Sequence, residues 1–249
     1  MRAVFSRLLS PVAVVLLSTG CAAAPAQPAT PDAAPAATAG ARPECEQLCG
    51  GGDACYRLGV AHDADDAARA AELYRQACNC GDALGCNDLG FAHERGRGVA
   101  EDRARALALY TRSCELGNLL GCKNAGVLHH DGAGAAPDLP KALALYRRAC
   151  YGGQPGGCNN LAMMLERGEG TPANAPAAIA LYRKACQLGA ANACTSYGYL
   201  FEKGSSVPRD DQEARAFYEK GCAGGDAQGC ANLKLMVEAG RGGVLGPKR

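Results

Sequence analysis

The cysteines are the side chains of this sequence best placed for chemistry, because most of them recur with a fixed period. The chain has 249 residues and 15 cysteines. Five cysteine pairs have seven residues between their members, and each pair follows the previous one by 36 residues: Cys78 and Cys86, Cys114 and Cys122, Cys150 and Cys158, Cys186 and Cys194, Cys222 and Cys230. Paired zinc ligands usually stand closer together in sequence. The spacing therefore predicts five disulfide bonds, and no metal or cofactor is expected.

Four further cysteines lie outside this regular frame. Cys49 and Cys80 each come six residues before a cysteine that begins a helix, and Cys55 lacks a partner at the usual spacing. We predict the bridges Cys49–Cys80 and Cys45–Cys55. The alternative is Cys49–Cys55 with Cys45–Cys80. Cys78 and Cys80 could also form a redox pair, but Cys78 already belongs to the regular frame, which favours two separate structural bridges.

Helices must position these cysteines, because the residues around them follow helical periodicity. After Cys86, small or apolar residues recur at Leu89, Gly90 and His93, a pattern typical of a helix with one buried face, here called helix A. A second helix, helix B, ends at the cysteine of the next pair. Recurrent glycines suit the left-handed position that ends helix A, and aspartates suit the N-cap of helix B. These are Gly96, Gly132, Gly168, Gly204 and Gly240, with Asp102, Asp138 and Asp210.

A repeat of this length is typical of a stacked array of helix pairs. We therefore expect an all-α fold, a right-handed α/α solenoid of 36-residue helix-turn-helix repeats cross-linked by disulfides. The solenoid should occupy residues 44–242, with five complete helix pairs from Cys55 to Cys222 and a C-terminal capping helix, followed by a tail at 243–249. Altered terminal repeats are expected, since the ends of such an array face solvent.

The N-terminal segment indicates export from the cytoplasm. Residues 1–21 combine two arginines with a short apolar run and read as a signal peptide. The sequence Leu17-Ser-Thr-Gly-Cys21 resembles a bacterial lipobox, in which Cys21 would be lipidated, although Ser18 departs from the pattern. The alternative is ordinary cleavage near Ala22. Residues 22–43 are rich in alanine and proline and predict a disordered linker. We expect a bacterial cell-envelope protein, an outer-membrane lipoprotein or a periplasmic or secreted protein, touching membrane only through this lipid anchor.

The repeated motifs resemble a known family. Cys-x-x-Leu-Gly, Gly-x-Gly, Ala-x-x-Leu-Tyr and Ala-Cys-x7-Cys are similar to Sel1-like repeats (SLR), which are relatives of tetratricopeptide repeats, and the cysteine frame is similar to the cysteine-rich Hcp-type branch. This branch implies penicillin binding and slow β-lactam hydrolysis. The sequence contains neither Ser-x-x-Lys nor Lys-Thr-Gly, which serine β-lactamases use, and no His-x-His-x-Asp cluster. A β-lactamase activity is therefore implied by the resemblance alone, and its catalytic residues are unknown.

If the helices stack as they do in tetratricopeptide repeats, side chains from three repeat positions of helix A line a concave groove. This groove would hold an extended peptide or glycan through hydrogen bonds. The alternative for its acids is that they satisfy N–H groups near the Gly-x-Gly turn. The predicted groove residues are Asn87, Lys123, Asn159 and Thr195, the apolar Phe91, Met163 and Tyr199, and the acids Glu94, Glu166 and Glu202.

Histidines form a second candidate row. His62, His93 and His129 each stand seven residues after the cysteine of helix A in three successive repeats. Stacked histidines could bind a metal, but neighbouring helices lie about 8–10 Å apart, which makes sharing one ion difficult. Packing against helix B is the favoured interpretation.

The sequence favours a binding protein over an enzyme. A net charge of +1 lacks the basic stripe that nucleic-acid binding needs, so no nucleic-acid partner is expected. Solenoids present extended concave surfaces. We predict a non-catalytic, envelope-exposed scaffold for a protein, peptide or peptidoglycan fragment, with a slow β-lactam hydrolase as the alternative.

Overall fold

The described residues of the computed structural model, 51–133 and 136–243, contain eleven α-helices and no strand. The helices are α1 (Gly52–His62), α2 (Ala67–Asn79), α3 (Ala83–Arg95), α4 (Arg103–Glu115), α5 (Leu119–Asp131), α6 (Leu139–Tyr151), α7 (Pro155–Arg167), α8 (Ala175–Gln187), α9 (Ala191–Lys203), α10 (Asp211–Ala223) and α11 (Ala227–Glu238). Odd-numbered helices are A helices and even-numbered ones B helices. The prediction of five helix pairs and a terminal capping helix is confirmed.

Polar caps and glycines set the helix ends where the sequence predicted them. The side chain of Asp102 accepts a hydrogen bond from the backbone N–H of Arg105 at 2.8 Å, and Asp138 and Asp210 cap their helices in the same way. The A helices α3, α5, α7 and α9 each end at a glycine with a positive φ between 64° and 76°. A left-handed residue turns the chain sharply, so each A helix reverses into its B helix.

Consecutive helices pack against each other throughout the array, as a solenoid requires. Each A helix also contacts the next A helix, from α1 through α11, whereas among the described residues B helices lack comparable contacts with one another. The A helices therefore form the closer-packed side of the solenoid. Side chains on this side of successive repeats lie beside each other and build one continuous surface.

The two helices of a repeat approach closely because a glycine of helix A faces a tyrosine of helix B. A Cβ atom added at Gly126 would stand 2.6 Å from Cε1 of Tyr146, closer than real contacts allow. Gly90 faces Tyr110 in the same way, at 2.9 Å. The ring fills the space that the absent side chain leaves, and Tyr110 is fully buried. The prediction that this glycine permits a close approach is confirmed.

All five regular disulfides are formed, with Cα atoms 4.3–4.6 Å apart. Each joins the end of a B helix to the first turn of the next A helix, so it cross-links neighbouring repeats. Closing a loop of this size stabilises the folded state by about 2.5 kcal/mol in the chain-entropy account. Five disulfides are typical of proteins that fold in an oxidising, extracytoplasmic compartment.

The thiol of Cys80 is free and exposed, which contradicts the predicted Cys49–Cys80 bridge and its alternative Cys45–Cys80. Cys80 is the residue that ends α2, and Leu116, which ends α4 at the same repeat position, is also exposed. A shared repeat position therefore points this side chain to solvent and does not bring it to a partner. Cys55 is disulfide-bonded. Its predicted partner Cys45 lies outside the described residues, as does Cys49.

Other predictions also fall outside the described residues. They are the signal peptide and Cys21, the linker at 22–43, and the tail from residue 244. Within the described ranges, no helix is long and apolar enough to cross a membrane.

Candidate binding groove

Three cavities lie in a row along the A helices. The first, of about 410 Å³, lies between α3 and α5; the second, of about 210 Å³, between α5 and α7; and the third, of about 500 Å³, between α7, α9 and α11. Val127 lines the first and second cavities, and Met163 lines the second and third. Each cavity therefore shares a wall residue with the next, and the row of three is called the groove below.

Most of the predicted groove residues line these cavities. The first cavity contains Asn87, Phe91, Glu94 and Lys123, and the third contains Met163, Glu166, Thr195 and Tyr199. Two predicted groove residues, Asn159 and Glu202, do not line these three cavities. Asn159 is only 3% exposed, and its Oδ1 atom is buried without a hydrogen-bond partner among the described residues. Glu202 binds Tyr218 and Arg241.

The predicted acids share one role, which the sequence analysis missed. Each accepts a hydrogen bond of 2.7 Å from the hydroxyl of the tyrosine 16 residues further on, in helix B of the same repeat. The pairs are Tyr110 with Glu94, Tyr182 with Glu166, and Tyr218 with Glu202. These tyrosines are the ones that face the helix A positions of close approach. The acids therefore accept hydrogen bonds from tyrosine hydroxyls. This contact differs from both predicted roles, which were binding a partner in the groove and accepting from N–H groups near the Gly-x-Gly turn.

Burial acts to raise the pKa of both Tyr218 and Glu202, whereas the hydrogen bond between them raises the pKa of the tyrosine and lowers that of the acid. Burial, followed by the hydrogen bond to Glu94, raises the pKa of Tyr110, so this hydroxyl stays protonated and donates. Burial alone would raise the pKa of Glu202, but the hydrogen bonds from Tyr218 and Arg241 outweigh it and lower that pKa. Glu202 therefore keeps its negative charge, and it accepts hydrogen bonds from both Tyr218 and Arg241.

One repeat replaces the acid with a histidine. His130 stands at this position, with Nδ1 at 3.0 Å from Oδ1 of Asp131 and Nε2 at 2.9 Å from Oε2 of Glu169 in the next repeat. The hydrogen bonds to Asp131 and then Glu169 raise the pKa of His130. At the C-terminal end, Glu202 and Arg241 make the equivalent contact, at 2.7 Å, with the charges reversed. Both contacts connect an A helix to the turn of the following repeat.

The three histidines of the predicted row have different surroundings. His93 is buried, and its Nδ1 lies 3.1 Å from the backbone oxygen of Ala100 in the turn before α4. His62 is exposed, whereas His129 is half-buried, and burial followed by the charge of Lys141 lowers its pKa. Within residues 51–133 and 136–243, no group of three or more histidine, cysteine or acidic side chains is arranged to hold a metal ion.

A row of amides and other polar side chains was also missed by the sequence analysis. These residues stand two positions after the cysteine of each A helix and line the cavities: Asp88, Asn124, Asn160, Ser196 and Asn232. The Nδ2 atom of Asn124 donates to Oδ1 of Asn87 at 2.9 Å, which links neighbouring repeats across the first cavity. The constant interval of 36 residues in the sequence was the signal that could have identified them.

Cations stand beside the exposed aromatic rings of the groove: Arg95 lines the first cavity, whereas Lys203 lies outside the lining of all three. The guanidinium of Arg95 lies 5.8 Å from the ring centre of Phe91, and Nζ of Lys203 lies 5.3 Å from that of Tyr199. Each pair is four residues apart on one helix, so both side chains lie on the same face. Lys123, in the first cavity, is half-buried, and burial lowers its pKa. The groove therefore combines apolar surface, amides, carboxylates and cations.

Comparison with known proteins identifies the repeats. The Sel1 repeat family matches residues 52–82, 83–118, 120–154, 155–189 and 191–226, which correspond to the five helix pairs. No curated protein matches the sequence.

Several solved structures are similar to this chain. c5321, a protective antigen present in uropathogenic Escherichia coli strains displaying an SLR fold, is 26% identical over 77% of this chain, with a TM-score of 0.68, and this chain spans 42% of its length. A Sel1 repeat protein from Oxalobacter formigenes is 21% identical, covers 82% of each chain and has a TM-score of 0.74. Helicobacter pylori cysteine rich protein B is 26% identical over 53% of this chain and 96% of its own, with a TM-score of 0.44. The chain therefore belongs to the Sel1 repeat family.

Proposed function

We propose that this protein is a non-catalytic scaffold that binds an extended segment of a partner protein or peptide along the groove. The observation that carries the proposal is the row of three adjacent cavities along α3, α5, α7, α9 and α11, each sharing a wall residue with the next. Extended concave surfaces of this kind are how solenoids bind partners. A peptide lying across successive A helices would contact the same repeat positions in turn.

The composition of the groove supports a peptide over a glycan. Phe91 is 42% exposed and Tyr199 is 47% exposed, and both belong to the groove lining. Exposed aromatic residues in a concave site are typical anchors for protein partners. Met163 continues this apolar strip between them. The experiment below distinguishes a protein or peptide partner from a peptidoglycan fragment.

The disulfides support binding by a pre-formed surface. Each cross-links the end of one repeat to the start of the next, which limits bending between repeats. A rigid surface loses less conformational entropy on association than a flexible one. The scaffold would therefore bind without first having to order its own helices.

The site of action is proposed to be the bacterial cell envelope. The five disulfides are typical of an oxidising compartment, which supports this location. The predicted signal peptide at 1–21 would direct export, and lipidation of Cys21 would anchor the protein in a membrane. Radiolabelled palmitate incorporation, abolished by Cys21→Ser, would support the anchor; unchanged incorporation would contradict it.

The experiment compares capture by three forms of the exported full chain. Wild type, Tyr199→Ala and Tyr151→Ala are used to capture partners from an envelope extract, and the captured proteins and muropeptides are identified by mass spectrometry. Tyr151 is the matched control, since it is 72% exposed and lies at the end of the B helix α6. The proposal predicts a partner protein lost with Tyr199→Ala and retained with Tyr151→Ala.

Two results would contradict the proposal. The first is capture that is equal in all three forms, because the groove would then play no part. The second is nitrocefin turnover by the wild type that a groove substitution abolishes, because this would show a hydrolase. Specific recovery of muropeptides without protein would replace the peptide by a glycan.

A further inference from the structure

We infer that the partner segment bound in the groove is acidic, with carboxylates near both ends and bulky apolar side chains between them. This inference rests on the proposed function and names the chemistry of its partner. It follows from a difference between the acids and the cations of the groove. The acids are bound by protein groups, whereas most cations are not.

The acids of the groove have internal donors. Glu94 and Glu166 each accept a hydrogen bond of 2.7 Å from a buried tyrosine. Asp88 accepts a hydrogen bond of 2.9 Å from Nδ2 of Asn87. Asp131 and Glu169 both bind His130 in the second cavity, at 3.0 and 2.9 Å. These carboxylates are thus committed to the fold and have reduced capacity to attract a cationic ligand.

The cations of the groove are differently placed. Arg95 and Lys203 lie over Phe91 and Tyr199, and neither forms an ion pair with a described residue. Lys123 likewise forms no ion pair within the described part of the chain, although it is half-buried in the first cavity. Burying a charge without a partner is unfavourable, so an incoming carboxylate would gain a pre-placed, partly dehydrated cation.

Arg167 is the intermediate case. It lines the third cavity, and its only ion pair among the described residues is a 3.6 Å contact with Glu169. That acid is already bound to His130 at 2.9 Å. Arg167 can therefore turn to a ligand without leaving an isolated carboxylate behind. The positive charge available for binding is concentrated in the first and third cavities.

The spacing of the cations sets the length of the segment. Arg95 is on α3 and Lys203 is on α9, which are three repeats apart. Neighbouring packed helices are about 8–10 Å apart, so these cations stand roughly 24–30 Å apart. An extended peptide rises about 3.3 Å per residue, so the two acidic ends stand roughly seven to nine residues apart. The apolar residues between them would lie on the strip formed by Val127 and Met163.

The test uses synthetic peptides of about twelve residues that carry a fluorophore. One set has aspartate or glutamate at both ends and varied leucine, methionine, phenylalanine and tyrosine in the centre. The matched set replaces every carboxylate with its amide. Binding to the full chain with intact disulfides is measured by fluorescence anisotropy at low and at physiological salt. We expect the acidic set to bind at least tenfold more tightly at low salt, with a difference that decreases as salt rises.

Substitutions locate the contact. Lys123→Gln, and Arg95→Gln combined with Lys203→Gln, should each weaken binding of the acidic set by about three- to tenfold, as expected for partly dehydrated charge pairs. The same substitutions should leave the amide set unchanged. Arg147→Gln is the matched control, since Arg147 is an exposed cation on the B helix α6. Circular dichroism melting curves establish that each variant folds.

The outcomes separate this inference from the proposed function. Equal binding of the two peptide sets, or equal effects of Lys123→Gln and Arg147→Gln, would overturn the acidic partner. If Tyr199→Ala still abolished capture from the envelope extract, the groove would remain the binding surface. If neither set bound and Tyr199→Ala left capture intact, both the inference and the proposed function would be wrong.

Discussion

The hydrogen bond from Tyr110 to Glu94 offers a quantitative test of how the groove acids are held. Tyr110 is fully buried, and its hydroxyl donates to Oε2 of Glu94 at 2.7 Å. A hydrogen bond to a charged acceptor contributes about 1.5–3 kcal/mol. Because Glu94 is half-exposed, solvent screening should reduce this to about 1–2 kcal/mol. Tyr110→Phe should therefore lower the melting temperature by roughly 3–6 °C for a unit of this size.

A double-mutant cycle isolates the contact from the other effects of each substitution. The free energy of unfolding is measured in urea for wild type, Tyr110→Phe, Glu94→Gln and the double variant. We expect a coupling energy of about 1–2 kcal/mol. Tyr146→Phe is the internal control. In its repeat the position of Glu94 holds His130, and the Tyr146 hydroxyl contacts the side-chain amide of Asn160 instead. A coupling energy below about 0.3 kcal/mol would refute the claim that tyrosines hold these acids.

Two further predictions concern packing and pH. Gly126→Ala should destabilise the protein by about 1–3 kcal/mol, since the new Cβ would stand 2.6 Å from the ring of Tyr146. Gly156→Ala is the control, because its Cβ would meet only the flexible Gln154 side chain, and it should be neutral or stabilising in the same urea titration. A stabilising effect of Gly126→Ala would contradict the close approach of the two helices. The raised pKa of His130 means that its contribution to stability is complete below pH about 6.5 and is lost as pH rises through the raised value. The melting temperature of wild type minus that of His130→Gln should therefore decrease between pH 5.5 and 8. A difference that stays constant over this range would contradict the prediction.

The period of the sequence determined the helix pairs, their caps and the five regular disulfides, because each depends on local spacing. Helix A and helix B of one repeat are linked by a short turn, so equal positions in different repeats have equal surroundings. Cys80 shows the limit of this reasoning. Its position relative to Cys86 suggested a bridge, but the end of a B helix directs its side chain to solvent.

The candidate site was predicted in part. Phe91, Met163 and Tyr199, which were predicted to line a groove, lie on the side of helix A that lines the cavities, since periodicity determines which face a residue occupies. The role of Glu94 and Glu166 was not predicted, because it depends on how closely the tyrosine of helix B approaches. That distance is set by three-dimensional packing at the facing small residue, Gly90 or Ala162, and spacing in the sequence does not encode the direction of a hydroxyl.

Oxidative footprinting of the full chain with its captured partner would test the central claim most directly. Hydroxyl radicals modify exposed aromatic and sulfur-containing side chains, and mass spectrometry gives the extent of modification at each. The account predicts that the partner reduces oxidation of Phe91, Met163 and Tyr199, while the exposed Tyr151 on α6 stays as reactive as in the free protein. Protection of Tyr151 with unchanged oxidation of the three groove residues would place the binding surface elsewhere and contradict the account.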